Sequence, residues 1–246
     1  MKALILAAGY ATRLYPLTKD RPKPLLKVGG RPVIDWLIDR LKQVPRVEHV
    51  HVVTNHKFVD QFKDWQEAGS FDLPISLHDD GSTCEEDRLG AVGDIRMMIE
   101  LMEKREDLLI AAGDNLFDFD LNPLCTLSRL RSAPVIGVRT AASLDEVKRF
   151  GVVKLEADQR ISSFEEKPSE PRSRDFALCL YVLSGASLPL VREYLDLGGN
   201  SDAPGNYVSW LIHRLAVYGH VFDKGHWFDI GDHDSLKSAD ECFSKK

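Results

Sequence analysis

The stretch that decides the fold is LAAGYATRLYPLTKDRPKPLLKVGG, Leu6 to Gly30. The apolar run Ala3-Leu4-Ile5-Leu6-Ala7 leads into it and predicts a buried parallel strand. Arg31-Pro32-Val33-Ile34 follows, with Pro32 suited to the first turn of a helix. The residues between have neither helical nor strand periodicity, and a connection that long inside a compact domain is functional or disordered as a rule. From Arg13 to Arg31 the chain sets Arg13, Lys19, Arg21, Lys23, Lys27 and Arg31 against one acid, Asp20. Pro16, Pro22 and Pro24 stiffen the backbone that presents them. A stiff cationic loop directly after a strand implies a polyphosphate ligand; a solvated basic surface loop is the plain alternative. The spacing excludes both G-x-G-x-x-G and G-x-x-x-x-G-K-[ST], so neither a dinucleotide fingerprint nor a P-loop is present.

Outward from this stretch, elements alternate. Val33, Ile34, Leu37, Ile38 and Leu41 recur at helical spacing, His49–Thr54 reads as a strand, and Phe58, Phe62 and Trp65 mark a second helix. Pro74–His78 is a short strand. Ile95, Met98, Ile99 and Met102 form an apolar helical stripe of core type. Leu108–Ala112 is a buried strand running into Gly113-Asp114. This β-α-β-α-β order predicts an α/β fold, a mostly parallel central sheet with helices on both faces, whose ligands lie beyond the carboxyl ends of the strands. The later chain is richer in β structure: strands over Pro134–Thr140, Gly151–Leu155, Ile161–Phe164 and Phe176–Leu183. Helices are expected at Leu188–Leu195, Tyr207–Leu215 and Ser235–Phe243. Gly198-Gly199-Asn200 and Pro204-Gly205-Asn206 read as loop punctuation. The expectation is one domain over 1–246, with a first half over 1–133 and a smaller β-rich lobe over 134–246.

A chain of 246 residues supports a sizeable core, and its net charge of −6 argues against general affinity for nucleic acid or an acidic membrane. The cations of the first loop are therefore a local cluster. Cys84, Cys125, Cys179 and Cys242 form no C-x-x-C pair, so reduced thiols are expected rather than zinc. The histidines make no metal-like group. The first strand leaves no room for a secretory leader and no apolar run approaches membrane-spanning length, so a cytoplasmic protein is expected.

Five ordered motifs carry a resemblance. Leu6-Ala7-Ala8-Gly9 with Thr12-Arg13-Leu14, Pro16-Leu17-Thr18 and Pro22-Lys23-Pro24-Leu25 is similar to the signature of the sugar-1-phosphate nucleotidylyltransferases. Gly113-Asp114-Asn115, Phe150-Gly151-Val152, Glu166-Lys167-Pro168 and Trp227-Phe228-Asp229-Ile230-Gly231 resemble that family's later motifs in order, so the likeness spans nearly the whole chain. It implies a nucleotide-binding half (1–133) and a sugar-binding lobe (134–246), Mg²⁺ as cofactor, a nucleoside triphosphate and a sugar 1-phosphate as partners, and a monomer or homodimer.

The reaction so implied is a displacement at the α-phosphorus between two anions, where positioning and charge neutralisation dominate. By resemblance, Arg13 grips the leaving pyrophosphate, which suits its bidentate fork, and Lys23, held extended between prolines, contacts the phosphates at the reacting centre. Asp114 follows a buried strand where a carboxylate can hold Mg²⁺, with Asp229 as second ligand; a turn carboxylate capping the last helix is the alternative for Asp229. Lys167 is expected to hold the sugar phosphate and Glu166 to accept from sugar hydroxyls, while Gly151 lets the backbone approach the sugar. These give Arg13, Lys23, Asp114 and Lys167 as catalytic candidates. The nucleotide is expected on Leu6, Ala7, Ala8, Gly9 and Thr12, with Gly90 admitting the base edge.

The sequence departs from the family in three places. Thymidylyl and uridylyl enzymes place a glutamine a few residues before that glycine; here the loop offers Glu85 and Glu86, which accept but cannot donate. Either they read an amine-bearing base, as in a cytidylyltransferase, or they are solvated or paired with Arg88. The preferred expectation is dTTP or UTP as donor, against a cytidylyltransferase or a silent nucleotide-sugar-binding homologue. Ala11 stands where family members carry glycine, so positive φ is disfavoured there. The chain ends about a helix after Asp229, and control through appended domains is not expected.

Overall fold

Lys2–Ala7 forms β1, the first strand of the computed structural model, which describes residues 1–245. The loop that follows contains two single-turn 3₁₀ helices, Thr12–Leu14 and Lys23–Leu25. It closes with a short hairpin, β2 (Lys27–Val28) against β3 (Arg31–Pro32). Helix α1 (Val33–Lys42) buries Val33, Ile34, Leu37, Ile38 and Leu41, the stripe the sequence predicts. Pro32 stands at the N-cap of α1, one position earlier than expected, because it is drawn into the hairpin. β4 (His49–Thr54), α2 (Val59–Ala68) and β5 (Ile75–Asp79) complete this run. β1 pairs in parallel with β4 from Lys2↔His49 to Ala7↔Thr54, and β4 with β5 from Val50↔Ile75 to Thr54↔Asp79.

At Gly90 the chain enters a second compact unit through α3 (Ala91–Leu101), whose stripe ends before Met102. β6 (Leu108–Ala112) carries it back at Ala111, and β7 (Asn115–Phe117) follows. From Asn122 the second unit resumes with α4 (Asn122–Arg131), β8 (Val135–Thr140), the single-turn α5 (Leu144–Val147), β9 (Gly151–Leu155), β10 (Ile161–Glu166) and β11 (Asp175–Leu183). It ends with α6 (Pro189–Asp196), α7 (Pro204–Leu211) and β12 (Tyr218–Val221). Gly225 returns the chain to the first unit for β13 (Trp227–Asp229) and α8 (His233–Phe243). The first unit is thus Met1–Leu89, Ala111–Leu121 and the segment from Gly225, and the second is Gly90–Ile110 with Asn122–Lys224.

In the first unit the strand order is β6-β1-β4-β5, with β7 and β13 as a separate antiparallel pair. In the second, β8 lies between antiparallel β11 and parallel β12, and β9 pairs antiparallel with β10 and β11. This is the α/β class the sequence predicts, parallel early and β-rich later. Three local expectations change. Pro204-Gly205-Asn206 is the first turn of α7, not a loop, because a proline at the first helical positions costs no internal hydrogen bond. That helix ends at Leu211, short of the expected Leu215. α4 has no counterpart in the sequence reading, since its buried face is broken by Ser128, which donates to the Ala133 carbonyl at 2.7 Å.

The first unit has one apolar cluster that matters for function. Leu14, Leu26 and Val28 of the long loop pack with Val33, Leu116, Ile230, Ala239 and Phe243. Each such side chain contributes about 1.5–3 kcal/mol on burial, so the loop is ordered by the last helix. Trp36 meets Phe243 edge-on at 5.0 Å. α8 is fixed by a capping box in which Asp232 accepts from Ser235 N. Gly29, at φ 59, is the one place the hairpin can pass this helix, because a Cβ there would lie 2.9 Å from the Phe243 carbonyl oxygen.

Candidate active site

Three strand ends of the first unit build the loops where a nucleotide is expected. After β1, the Ala8 carbonyl accepts from Asn55 Nδ2 at 2.9 Å, and buried Asn55 also accepts from Phe58 N through Oδ1 at 3.1 Å. After β5, Ser82 O accepts from His56 N at 2.9 Å, and Asp80 N donates to Thr54 O at 2.9 Å. Tyr10 Oη reaches Ser82 Oγ at 3.4 Å. The turns following β1, β4 and β5 are therefore tied to one another at the carboxyl ends of parallel strands, the usual place for a ligand in such a sheet. Ala8 is buried and Gly9 is exposed, and a Cβ on Gly9 would meet nothing within 4 Å.

Ala11 adopts φ 50, ψ 42, the left-handed conformation that its side chain disfavours. It is held there because its carbonyl accepts from both Thr18 Oγ1 at 2.7 Å and Leu14 N at 3.0 Å. The expected departure is thus real strain, of about 1 kcal/mol. The turn at Thr12–Leu14 follows directly and projects Thr12 and Arg13 to the exposed side. Farther along, Lys57 Nζ and Gln61 Nε2, from the start of α2, hold the loop carbonyls of Lys19 and Asp20 at 2.6 and 3.0 Å.

Lys23 is not extended. It opens a 3₁₀ turn closed by Leu26 N on its own carbonyl at 3.0 Å. Its ammonium donates to Asp114 Oδ2 at 2.7 Å, with the two side chains 11% and 27% exposed. Gly113 makes this approach possible: its N–H donates to Leu6 O at 2.8 Å, and a Cβ there would stand 2.9 Å from Pro24. Asn115 Nδ2 supplies Asp114 Oδ1 with a second hydrogen bond at 3.1 Å, while its Oδ1 accepts from Trp227 Nε1 at 2.7 Å. Burial alone would raise the Asp114 carboxyl. The Lys23 charge and hydrogen bond, with the Asn115 amide, outweigh it and hold Asp114 below the usual carboxylate range. Asp114 therefore has a basic partner that its sequence neighbours do not reveal.

Asp229 lies in β13 opposite Asn115 of β7, and Ile230 N donates to the Asp114 carbonyl at 3.1 Å. Asp114 and Asp229 thus sit on adjoining segments. The cap of α8 is Asp232, so Asp229 is not used for capping. Arg13 joins it: the position of a Cβ on Gly231 would be 3.8 and 3.9 Å from the Arg13 guanidinium nitrogens and 4.0 Å from Asp229 Oδ2. Among the described residues no group of three or more His, Cys, Asp or Glu could hold a metal. A donor set of two carboxylates is too sparse for a closed all-protein site. It does fit magnesium, which binds through one or two carboxylates and takes its remaining ligands from phosphate and water.

In the acidic loop, Glu85 accepts from Arg88 Nη1 at 2.9 Å on the surface. This is the pairing the sequence left open. Asp87, which sequence reasoning passed over, organises the loop by accepting from Cys84 N at 3.0 Å and from Thr83 N and Oγ1 at 3.0 and 2.8 Å. Those hydrogen bonds hold its carboxyl down to about 2. Gly90, at φ 79, begins α3, and a Cβ on it would lie 2.5 Å from Ser201 O. Its lack of a side chain therefore has a packing reason within the second unit.

The remaining candidates lie in the second unit. β10 ends at Glu166, whose register partner on β9 is Gly151. A Cβ on Gly151 would be 2.3 Å from the Phe164 ring and 3.2 Å from Glu166 Oε2. Lys167 follows at φ 47, with its N–H on the Phe150 carbonyl at 3.1 Å. Its ammonium stands 3.7 Å from Glu166 Oε1 and is 63% exposed, against 20% for Glu166. Burial raises the Glu166 carboxyl, and Lys167 only partly opposes that. Gly205, read from sequence as loop, belongs here too: a Cβ on it would fall 1.8 Å from Glu166 Oε2. A glycine inside a helix turn, where alanine is intrinsically favoured by about 1 kcal/mol, was the signal available.

These loops on a mixed α/β fold are those of a nucleotidyl transferase, and the chain belongs to that family, whose model matches residues 2–245. Among curated relatives, UTP–glucose-1-phosphate uridylyltransferase of Synechocystis sp. is 27% identical over 238 residues, 94% of this chain; the chain spans 60% of the length of that relative. Among solved structures, one designated a glucose-1-phosphate thymidylyltransferase, from Bacillus anthracis and bound to sucrose, superposes with a TM-score of 0.78 at 23% identity, covering 100% of this chain and 96% of that one. A UDP-glucose pyrophosphorylase complexed with UDP-glucose gives 0.83 at 19%, covering 99% and 98%. Those two likenesses establish the fold. No helix among the described residues is long and apolar enough to cross a membrane.

Proposed function

We propose that this chain transfers a nucleotidyl group from a nucleoside triphosphate to a sugar 1-phosphate, releasing pyrophosphate and forming a nucleotide sugar. The observation that carries the reading is the largely buried Lys23–Asp114 pair, held at 2.7 Å between a 3₁₀ turn of the long loop and the end of β6, with Arg13 and Asp229 gathered around Gly231. In the proposed step a sugar-phosphate oxygen attacks the α-phosphorus as the bond to the bridging oxygen of pyrophosphate breaks. No general base is needed, because the attacking oxygen is already anionic. Lys23 neutralises charge at the α-phosphate and Arg13 at the departing β- and γ-phosphates. The nucleotide lies over Leu6–Gly9 and Thr12, with its base on Leu6–Gly9. Asp114 and Asp229 would hold a divalent cation, which supplies charge neutralisation to the triphosphate when bound. In the second unit, Lys167 holds the sugar phosphate and Glu166 accepts from sugar hydroxyls.

The named relatives act on UTP and glucose 1-phosphate or are designated thymidylyl enzymes, and dTTP or UTP is the donor we favour. The cytidylyl alternative rested on Glu85 and Glu86, of which Glu85 is engaged by the Arg88 ion pair. A silent binding protein is disfavoured because Arg13, Lys23, Asp114, Lys167 and Asp229 are all retained. The test is pyrophosphate release with each common nucleoside triphosphate against a panel of sugar 1-phosphates, with and without EDTA. Turnover with dTTP or UTP, abolished by the chelator, is expected. Absence of turnover with every pair would overturn the reading.

A further inference from the structure

Glu166 lies in a notch between two glycines from different elements of the second unit. On one side is Gly151 of β9, where a Cβ would come within 3.2 Å of Oε2; on the other is Gly205, in the first turn of α7, where it would come within 1.8 Å of Oε2 and 2.9 Å of Cδ. The other carboxylate oxygen, Oε1, points toward Lys167. A real Cβ never approaches an oxygen at 1.8 Å, so any side chain at residue 205 must drive the carboxylate out of the notch. Glycine is otherwise a poor choice at that position of a helix. The helix gains nothing from it; the carboxylate does.

We infer that Gly205 is a positioning residue for the sugar-phosphate site: it lets the start of α7 press against Glu166 and so fixes the direction in which that carboxylate offers its lone pairs to a sugar hydroxyl. This rests on the reading of Glu166 as a sugar ligand. Aim matters because a glutamate free to rotate loses side-chain freedom each time a sugar binds, whereas a carboxylate already held does not. Ser209 of the same helix donates to the Phe164 carbonyl at 3.2 Å, so α7 is tied to β10 a turn farther on and cannot simply retreat from an added methyl group.

The test is a double-substitution cycle read in steady-state kinetics, with Gly205→Ala, Glu166→Asp and the pair. Gly205→Ala should raise KM for the sugar 1-phosphate tenfold or more, with KM for the triphosphate and kcat within about threefold. Glu166→Asp withdraws the carboxylate by one methylene, so Gly205→Ala in that background should add less than threefold. Full additivity, an unchanged sugar-phosphate KM, or parallel loss of both KM values would each overturn the inference. If Gly205→Ala does not fold, Glu166→Ala/Gly205→Ala should restore a cooperative thermal transition and Phe164→Leu/Gly205→Ala should not, since an added methyl would lie 1.8 Å from the Glu166 carboxylate but 2.9 Å from the Phe164 ring edge; the reverse order overturns the inference as well. Unmodified protein assayed alongside separates the two claims. If it turns over no sugar 1-phosphate, the proposed function fails and takes this inference with it; if it does and the cycle shows no coupling, only the role of Gly205 fails.

Discussion

Lys23 and Asp114 of the first unit meet at 2.7 Å with little exposure, whereas Lys167 of the second stands 3.7 Å from Glu166 and is 63% exposed. Both are lysine–carboxylate pairs in motifs that the sequence marks equally clearly, yet they differ in kind. The first is a closed pair whose charges satisfy one another, with Asn115 and Trp227 fixing the carboxylate from behind. The second leaves the lysine in water and pushes the carboxyl up by burial. A phosphate arriving at Lys23 must compete with Asp114, so a cation that takes over the carboxylate would free the ammonium. Lys167 needs no such exchange. If both lysines take phosphates as proposed, binding at Lys23 would be coupled to a metal and binding at Lys167 would not.

The comparison is most exposed at Asp114. Asp114→Asn should lower turnover by two or more powers of ten, roughly 3 kcal/mol of transition-state stabilisation, measured as pyrophosphate release at saturating Mg²⁺. A loss under tenfold would remove Asp114 from the reacting centre. Next comes stability. Lys23→Met leaves a largely buried carboxylate without its ion-pair partner and should cost roughly 2 kcal/mol in urea unfolding, whereas Lys167→Met should change stability by less than about 0.5 kcal/mol. Equal costs would mean the two pairs are not different in kind.

The opposite pKa shifts sharpen the contrast. Asp114 is held low when folded, so its contribution is present above the unfolded carboxylate value of about 4 and is lost as pH falls through the folded value. Glu166 is held high, so its penalty is absent below about 4 and complete once pH exceeds its folded value. Glu166→Gln should accordingly stabilise the protein by up to about 1 kcal/mol at pH 7 and by nothing at pH 4. Thermal melts at both pH values check this, and a gain that persists at pH 4 would refute the assignment. The smallest effect is at the strained turn. Ala11→Gly removes left-handed strain but adds unfolded-state entropy, for a net gain of about 0.5 kcal/mol with unchanged activity. A loss of stability would show that the turn tolerates alanine without strain.

The sequence made elements legible wherever periodicity was unbroken, as in strands β1 and β4 and helix α1. The long loop stood out from its cations and prolines, and it folds as two 3₁₀ turns and a short hairpin rather than as a helix or strand. What it hid were relations between distant residues. Lys23 and Asp114 lie 91 positions apart, and nothing local indicates that they pair. Gly205 looked like a turn because proline and glycine punctuate both loops and helix starts, and only the position of Glu166 distinguishes the two. Glu85 and Asp87 were both visible as acids in one loop. Their uses, one on Arg88 and the other on Thr83 and Cys84 backbone groups, depend on how that loop curls.

The seating of α8 on the hairpin has a consequence for synthesis. The loop Leu6–Gly30 leaves the ribosome well before Phe243 and Ala239, which cover Leu14, Leu26 and Val28, and before Asp240, which accepts from Gly29 N at 2.8 Å. A nascent chain stalled before Gly231 holds every cation of the loop but none of the helix that orders it. The packing that orders the loop is then acquired only after α8 has been synthesised. Ribosome-bound chains arrested at residue 225 should show protease cleavage within Lys19–Lys27, and chains arrested well past Lys246 should not. Equal cleavage in both would place the ordering of that loop earlier in synthesis.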